Sequence, residues 1–224
     1  ECPLVRTSLL TSIMENAVRN FSRKNMDIRL FDVAPVFYPK ALPVTELPDE
    51  VIKLAGLITG RRNEMGWNQG NDMVDFYDMK GIVEELLKEL SISKYTVEAG
   101  EHFALHPGKT AVFKKGQEVI AVVGELHPAA AENFGIKQAV YLFEMDVETL
   151  MKYTAKNFHF ESLPKYPATA RDLAIVVDEA AAAADIEAVI AKNAGKHFKG
   201  VTLFDVYTGE HVAEGKKSLA FNLQ

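Results

Sequence analysis

Gly108-Lys109-Thr110 has the residue order that closes a phosphate-binding loop, and Asp72, Asp75 and Asp78 are spaced so that they could gather carboxylates around Mg²⁺. Six histidines add the possibility of a metal. A phosphate loop needs a glycine five residues before the one that precedes its lysine, and a helix afterwards to aim backbone N–H groups at the anion. Position 103 is Phe, and AVFKKG after Thr110 reads as a strand running into a turn, so a turn between strands is the expected role. His102 and His106 share one face only if they lie on a helix, and Pro107-Gly108 denies it; Glu101 also stands before the first histidine, not after it as HExxH requires. His127, before Pro128, reads as a turn residue. The aspartates are expected to cap a helix and complement its dipole. No GxSxG elbow is present, and Cys2, the single cysteine, excludes an internal disulfide framework or a multi-cysteine zinc site.

The elements that would position these groups follow from periodicity. Leu9, Leu10, Ile13, Met14, Ala17, Val18 and Phe21 recur at spacings of three and four, which predicts an amphipathic helix over 8–23, capped by Thr7 or Ser8. Residues 28–38 (IRLFDVAPVFY) read as a strand whose Pro35 implies an edge or a bulge. Residues 51–60 (VIKLAGLITG) are a nearly continuous apolar strand, expected to be buried on both faces. Met79, Ile82, Val83, Leu86, Leu87 and Leu90 stripe a helix that Asp75 and Asp78 can cap. From Phe103 to Asp146 a Pro-Gly turn, two extended segments broken at Lys115-Gly116, a Leu-His-Pro stop, a short helix and an apolar strand are expected.

A polar connector around 153–157 suggests a boundary, giving domains over 1–152 and 153–224. Beyond it, strand 171–178, helix 184–194, strand 201–208 and strand 218–223 have the β-α-β-β order that opens a ferredoxin-like domain. Its second helix and last strand are missing, so the chain is expected to stop inside a domain, leaving part of one sheet face uncovered.

At 224 residues, 48% hydrophobic and 25% charged, the chain has the composition of a soluble globular protein, and its pattern of strands and helices reads as α+β. No apolar run reaches the roughly 18 residues a membrane helix needs, and no secretory leader is visible, so a cytoplasmic location is expected. Net charge is −6, with 16 Lys+Arg against 22 Asp+Glu over 1–151 and 9 against 9 over 152–224. A basic face for nucleic acid is therefore expected in the second part and not in the first.

RTSLLTSIMENAVRNFSRKN, IRLFDVAPVF, FYDMKGIVEELL, LHPGKTAVF, VVGELHP and YLFEMDVETL, in that order, resemble the catalytic-like module of bacterial phenylalanyl-tRNA synthetase beta subunits. LPKYPATARDLAIVVDE and LFDVYTG resemble the start of that family's ferredoxin-like anticodon-binding domain. The resemblance implies a class II synthetase antiparallel sheet flanked by helices, without its own catalysis. An active class II enzyme clamps ATP phosphate and the amino-acid carboxylate with an arginine from its second motif, because a planar guanidinium holds two oxygens at once. In DVAPVFYPKAL, the corresponding stretch, no arginine follows before Arg61, and the arginine-ending third motif is absent.

The resemblance further implies a holoenzyme in which an alpha subunit holds the active site, in an alpha2beta2 heterotetramer that attaches phenylalanine to its tRNA with ATP and Mg²⁺. Helix 8–23 and the adjoining sheet would serve as scaffold, and editing would lie upstream. No catalytic, metal or cofactor residue is assigned here. The groups implied for tRNA contact are Lys165, Tyr166, Arg171, Lys199, Tyr207, Lys216 and Lys217, through stacking and phosphate contact. The alternatives are a free-standing RNA-binding or protein-interaction module, and a metal hydrolase built on His102 and His106.

Overall fold

Burial of Leu10, Ile13, Met14 and Ala17 along one side makes α1 (Leu10–Ser22) an amphipathic helix. The protein is described by a computed structural model over residues 5–154 and 167–224. Contacts divide the chain into two units, Glu1–Phe158 and His159–Gln224. Cys2, Lys165 and Tyr166 lie outside the described residues.

In the first unit, α1 is followed by strands β1 (Ile28–Tyr38) and β2 (Asp49–Thr59), helix α2 (Phe76–Glu89), strands β3 (Thr96–Ala99), β4 (Leu105–Lys115) and β5 (Glu118–Leu126), helix α3 (Pro128–Asn133), strand β6 (Val140–Asp146) and helix α4 (Val147–Tyr153). The strands form one antiparallel sheet in the order β1-β2-β6-β5-β4-β3. β2 is buried on both sides, as its unbroken apolar run requires. Ala55 and Leu57 join the core with α1, while Ile58 joins Met79 and Val83 of α2 on the opposite face. β1 is an edge strand, so the missing N–H of Pro35 breaks no ladder. Its outer edge is partly covered where Phe37 N–H donates to Arg6 C=O at 2.9 Å.

Two local features differ from expectation. α1 has no side-chain cap from its N-cap residue, Leu9. Ser8 Oγ accepts the Leu10 N–H at 3.1 Å, and Glu144 of β6 takes the Ser8 hydroxyl at 2.8 Å and the Leu9 N–H at 2.9 Å. A carboxylate distant in sequence thus does the capping that Thr7 or Ser8 was expected to do alone. The Pro-Gly pair lies within β4, not between strands: Leu105 pairs with Leu126 and Thr110 with Gly124, so residues 106–109 face Glu125 alone. This is a wide irregularity that bends the strand without ending it.

The loop between β2 and α2 carries Trp67, which is 98% exposed. At the end of α1, Lys24 N–H donates to Phe21 C=O and Asn25 N–H to Asn20 C=O, with Lys24 in the left-handed region at φ +64°.

The second unit contains β7 (Arg171–Asp178), α5 (Ala183–Asn193), β8 (Val201–Tyr207) and β9 (Lys216–Leu223), with antiparallel sheet order β7-β9-β8. Leu219 and Phe221 on the central strand are buried. Leu203 pairs with Phe221 and Asp205 with Ala220, so Phe204 is an extra residue in β8. The bulge changes which side chains the end of β8 shows on each face.

Candidate nucleic-acid interface and polar clusters

The stretches that suggested chemistry fold into structural contacts. Lys109 Nζ pairs with Glu125 Oε2 at 2.6 Å across the ladder, and Thr110 Oγ1 donates to His106 C=O at 2.7 Å. Thr110 lies within β4 and the strand continues to Lys115, so the tripeptide does not open a helix as a phosphate loop must. His102, His106 and His127 each use Nδ1 to accept a backbone N–H two residues on, from Ala104, Gly108 and Ala129. That bond places the proton of a neutral ring on Nε2. Burial pushes the His102 imidazole down in pKa, assisted by Lys53 and opposed by Glu144. Among the described residues no three His, Cys, Asp or Glu side chains are arranged to hold a metal ion.

Asp75 and Asp78 form a reciprocal capping box on α2: Asp75 Oδ1 accepts the Tyr77 and Asp78 N–H groups, and Asp78 Oδ2 accepts the Asp75 N–H. Arg62 closes the cluster, Nε to Asp78 at 2.9 Å and Nη2 to Asp75 at 3.1 Å. In β1 the one arginine, Arg29, donates Nη2 to the carbonyls of Arg61 and Arg62. The guanidinium groups of Arg29 and Arg62 are therefore both engaged by the protein itself.

The described tRNA candidates do not share one face. The pairs Tyr207↔Ser218 and Asp178↔Lys216 put Tyr207 and Lys216 on the side of the sheet that also carries Asp172, Asp205 and Asn222. Lys216 Nζ is bound to Asp178 at 2.7 Å, which neutralises it locally. Lys217 and Arg171 lie on the other side, in register with Val177 and Leu223 and alternating with buried Leu219 and Phe221. Lys199 precedes β8, exposed, its backbone N–H bonded to Gln224 C=O. The Tyr207 ring lies back over Gly209, where an added Cβ would collide with it.

Residues 1–147 match the family model described as "Phenylalanyl tRNA synthetase beta chain CLM domain". The chain belongs to the phenylalanyl-tRNA synthetase beta chain family. Residues 164–224 match the "Ferredoxin-fold anticodon binding domain" model. Among curated relatives, the "Phenylalanine--tRNA ligase beta subunit" of Syntrophotalea carbinolica is 39% identical over 223 residues, covering 99% of this chain and 27% of the relative. The protein of the same name from Listeria monocytogenes serotype 4b is 40% identical over 221 residues, covering 98% and 27%. The chain thus spans about a quarter of the length of these relatives. A solved structure of Desulfitobacterium hafniense PylSc, a pyrrolysyl tRNA synthetase, is similar over 65% of this chain and 48% of that one, at TM-score 0.48 and 15% identity.

Within this phenylalanyl-tRNA synthetase beta chain module, sequence reasoning missed two organising groups. Glu144 hides in an apolar strand, where its role is set by a helix more than a hundred residues away. Glu118 gathers Lys152 Nζ at 2.9 Å and Tyr153 Oη at 2.8 Å, and these bonds hold its carboxyl below the usual range. No local pattern announces either contact.

Proposed function

We propose that the chain is a non-catalytic part of the beta subunit of a phenylalanine–tRNA ligase, serving as scaffold and tRNA-contacting region. The observation that carries this reading is the pair of collinear family matches, one to the beta chain module and one to an anticodon-binding fold. The engagement of Arg29 and Arg62 by the protein's own carbonyls and carboxylates supports the absence of a phosphate clamp. In this reading ATP and Mg²⁺ act in an alpha subunit, the assembly is an alpha2beta2 heterotetramer, and the protein works in the cytoplasm. No described helix is long and apolar enough to cross a membrane.

Within the second unit, Lys199, Lys217, Arg171 and Tyr207 are the proposed tRNA contacts, along with Lys165 and Tyr166. Lys216 contributes less because its charge is already paired. In the complete ligase, Lys199→Ala with Lys217→Ala is expected to weaken binding of a phenylalanine tRNA transcript and to flatten its salt dependence by about one for each phosphate no longer held. Tyr207→Ala tests stacking, at roughly 1 to 3 kcal/mol for a base it touches. Unchanged tRNA affinity in all three substitutions would remove this surface. Mixed with phenylalanine and ATP, the chain by itself is expected to release no pyrophosphate; release would refute the non-catalytic reading.

A further inference from the structure

Over residues 16–29 there are four cations, Arg19, Arg23, Lys24 and Arg29, against one acid, Asp27, although this part of the chain carries the whole acidic excess. Asp27 is already engaged, its Oδ1 accepting the Arg61 N–H at 2.7 Å. Arg19, Arg23 and Lys24 are exposed, and among the described residues their side chains take part in no ion pair or hydrogen bond. Arg19 and Arg23 are one turn apart on the side of α1 turned away from Leu10, Ile13, Met14 and Ala17. Lys24 and Arg29 line one polar recess of about 440 Å³, together with Asn20, Asn25 and Asp27.

The backbone supplies a second argument. Lys24 occupies the left-handed position just past the helix, where glycine is the low-strain residue and a side chain is disfavoured. A cation near a helix C-terminus gains from the macrodipole, but it gains equally within the last turn, with ordinary backbone angles. The dipole therefore accounts for Arg19 and Arg23 better than for a lysine in a strained position.

We propose that the C-terminal turn of α1 binds the phosphodiester backbone of RNA, with Arg19, Arg23 and Lys24 as the contacting cations. This rests on the reading that the chain works beside tRNA, and adds a contact in the unit whose net charge is acidic. The two guanidinium groups can each hold a phosphate through paired N–H bonds, and the lysine adds a point charge. Such contacts position the RNA without reading its sequence.

The test uses the complete ligase and an unmodified phenylalanine tRNA transcript, with binding measured across a salt series. Replacing the three cations together (Arg19→Gln, Arg23→Gln, Lys24→Gln) is expected to weaken binding about tenfold at low salt and to make the slope of log K against log salt shallower by about 2 to 3. Lys24→Gly separates function from structure. It should slow amide hydrogen exchange in the last turn of α1 by about fivefold, because strain is relieved, while weakening tRNA binding. A purely structural lysine would leave tRNA binding unchanged. Unaltered affinity and slope in the triple variant overturn the proposal, as does loss of subunit assembly with normal tRNA affinity in the intact fraction, which would mark a protein interface. A wild-type ligase that fails to bind the transcript refutes the underlying reading instead. Wild-type binding that is sensitive only to Lys199 and Lys217 refutes this inference alone.

Discussion

Asp78 is pulled two ways. Burial raises its pKa, but hydrogen bonds from Arg62 and the Asp75 N–H, with the charge of Arg62, outweigh burial and hold it below its ordinary value. A carboxyl that binds protons more weakly when folded stabilises the fold above the unfolded pKa, near 4, and loses that contribution as pH falls through the lowered folded value. Arg62→Ala is therefore expected to lower stability at neutral pH and to flatten the acid limb, the two curves starting to approach near pH 4 and meeting only below the lowered folded pKa of Asp78. Urea unfolding at a series of pH values checks it; curves that stay parallel would contradict it. At Glu144 the expectation concerns unsatisfied donors. Glu144→Leu strands the Ser8 hydroxyl and Leu9 N–H and should cost about 2 kcal/mol in urea unfolding, whereas Glu144→Gln keeps an acceptor and should cost much less. Equal losses would show that size, not hydrogen bonding, matters there.

Among the elements, strands and helices were legible from sequence where the apolar period was long. The edge role of β1 followed from Pro35, the two-sided burial of β2 from its unbroken run, and the α2 cap from Asp75 and Asp78. What was not legible depends on partners from distant segments. The β4 irregularity looks like a turn in sequence because Pro107-Gly108 cannot announce that Leu105 and Thr110 both remain paired to β5. Two glycines test how tightly these elements meet. Gly56 lies opposite Phe143, and an added Cβ would run into that ring; at Gly124 the Cβ would sit 2.8 Å from Thr110 Oγ1 and 2.9 Å from Lys109 C=O in the irregular stretch. Gly56→Ala and Gly124→Ala are each expected to cost about 1 to 3 kcal/mol by overpacking. Phe143→Leu should partly rescue the first, whose obstacles are side-chain atoms alone, whereas trimming the Thr110 side chain should leave most of the second cost, because the Lys109 carbonyl stays in the way. A double-mutant cycle with no coupling between positions 56 and 143 would refute that account.

For the whole molecule, acids outnumber bases over residues 1–151, and that total conceals the cations at the end of α1. Averaging over about 150 residues hides a cluster that one helical turn brings together. Residue type likewise selected the second-unit candidates, but pleat and bulge decide their faces: Lys216 and Lys217 are adjacent in sequence and point to opposite sides. Family membership was legible because several linked motifs occur in order, a property no single motif carries. One exposed side chain has an optical consequence. Trp67 is the only tryptophan in the chain, and it is already in water when the protein is folded. Its emission should therefore be red-shifted in the native state and change little on denaturation, so a fluorescence melt would miss unfolding that circular dichroism records. A blue shift on mixing with any partner would mean that the loop between β2 and α2 had been covered, giving the chain an internal reporter of assembly without a label.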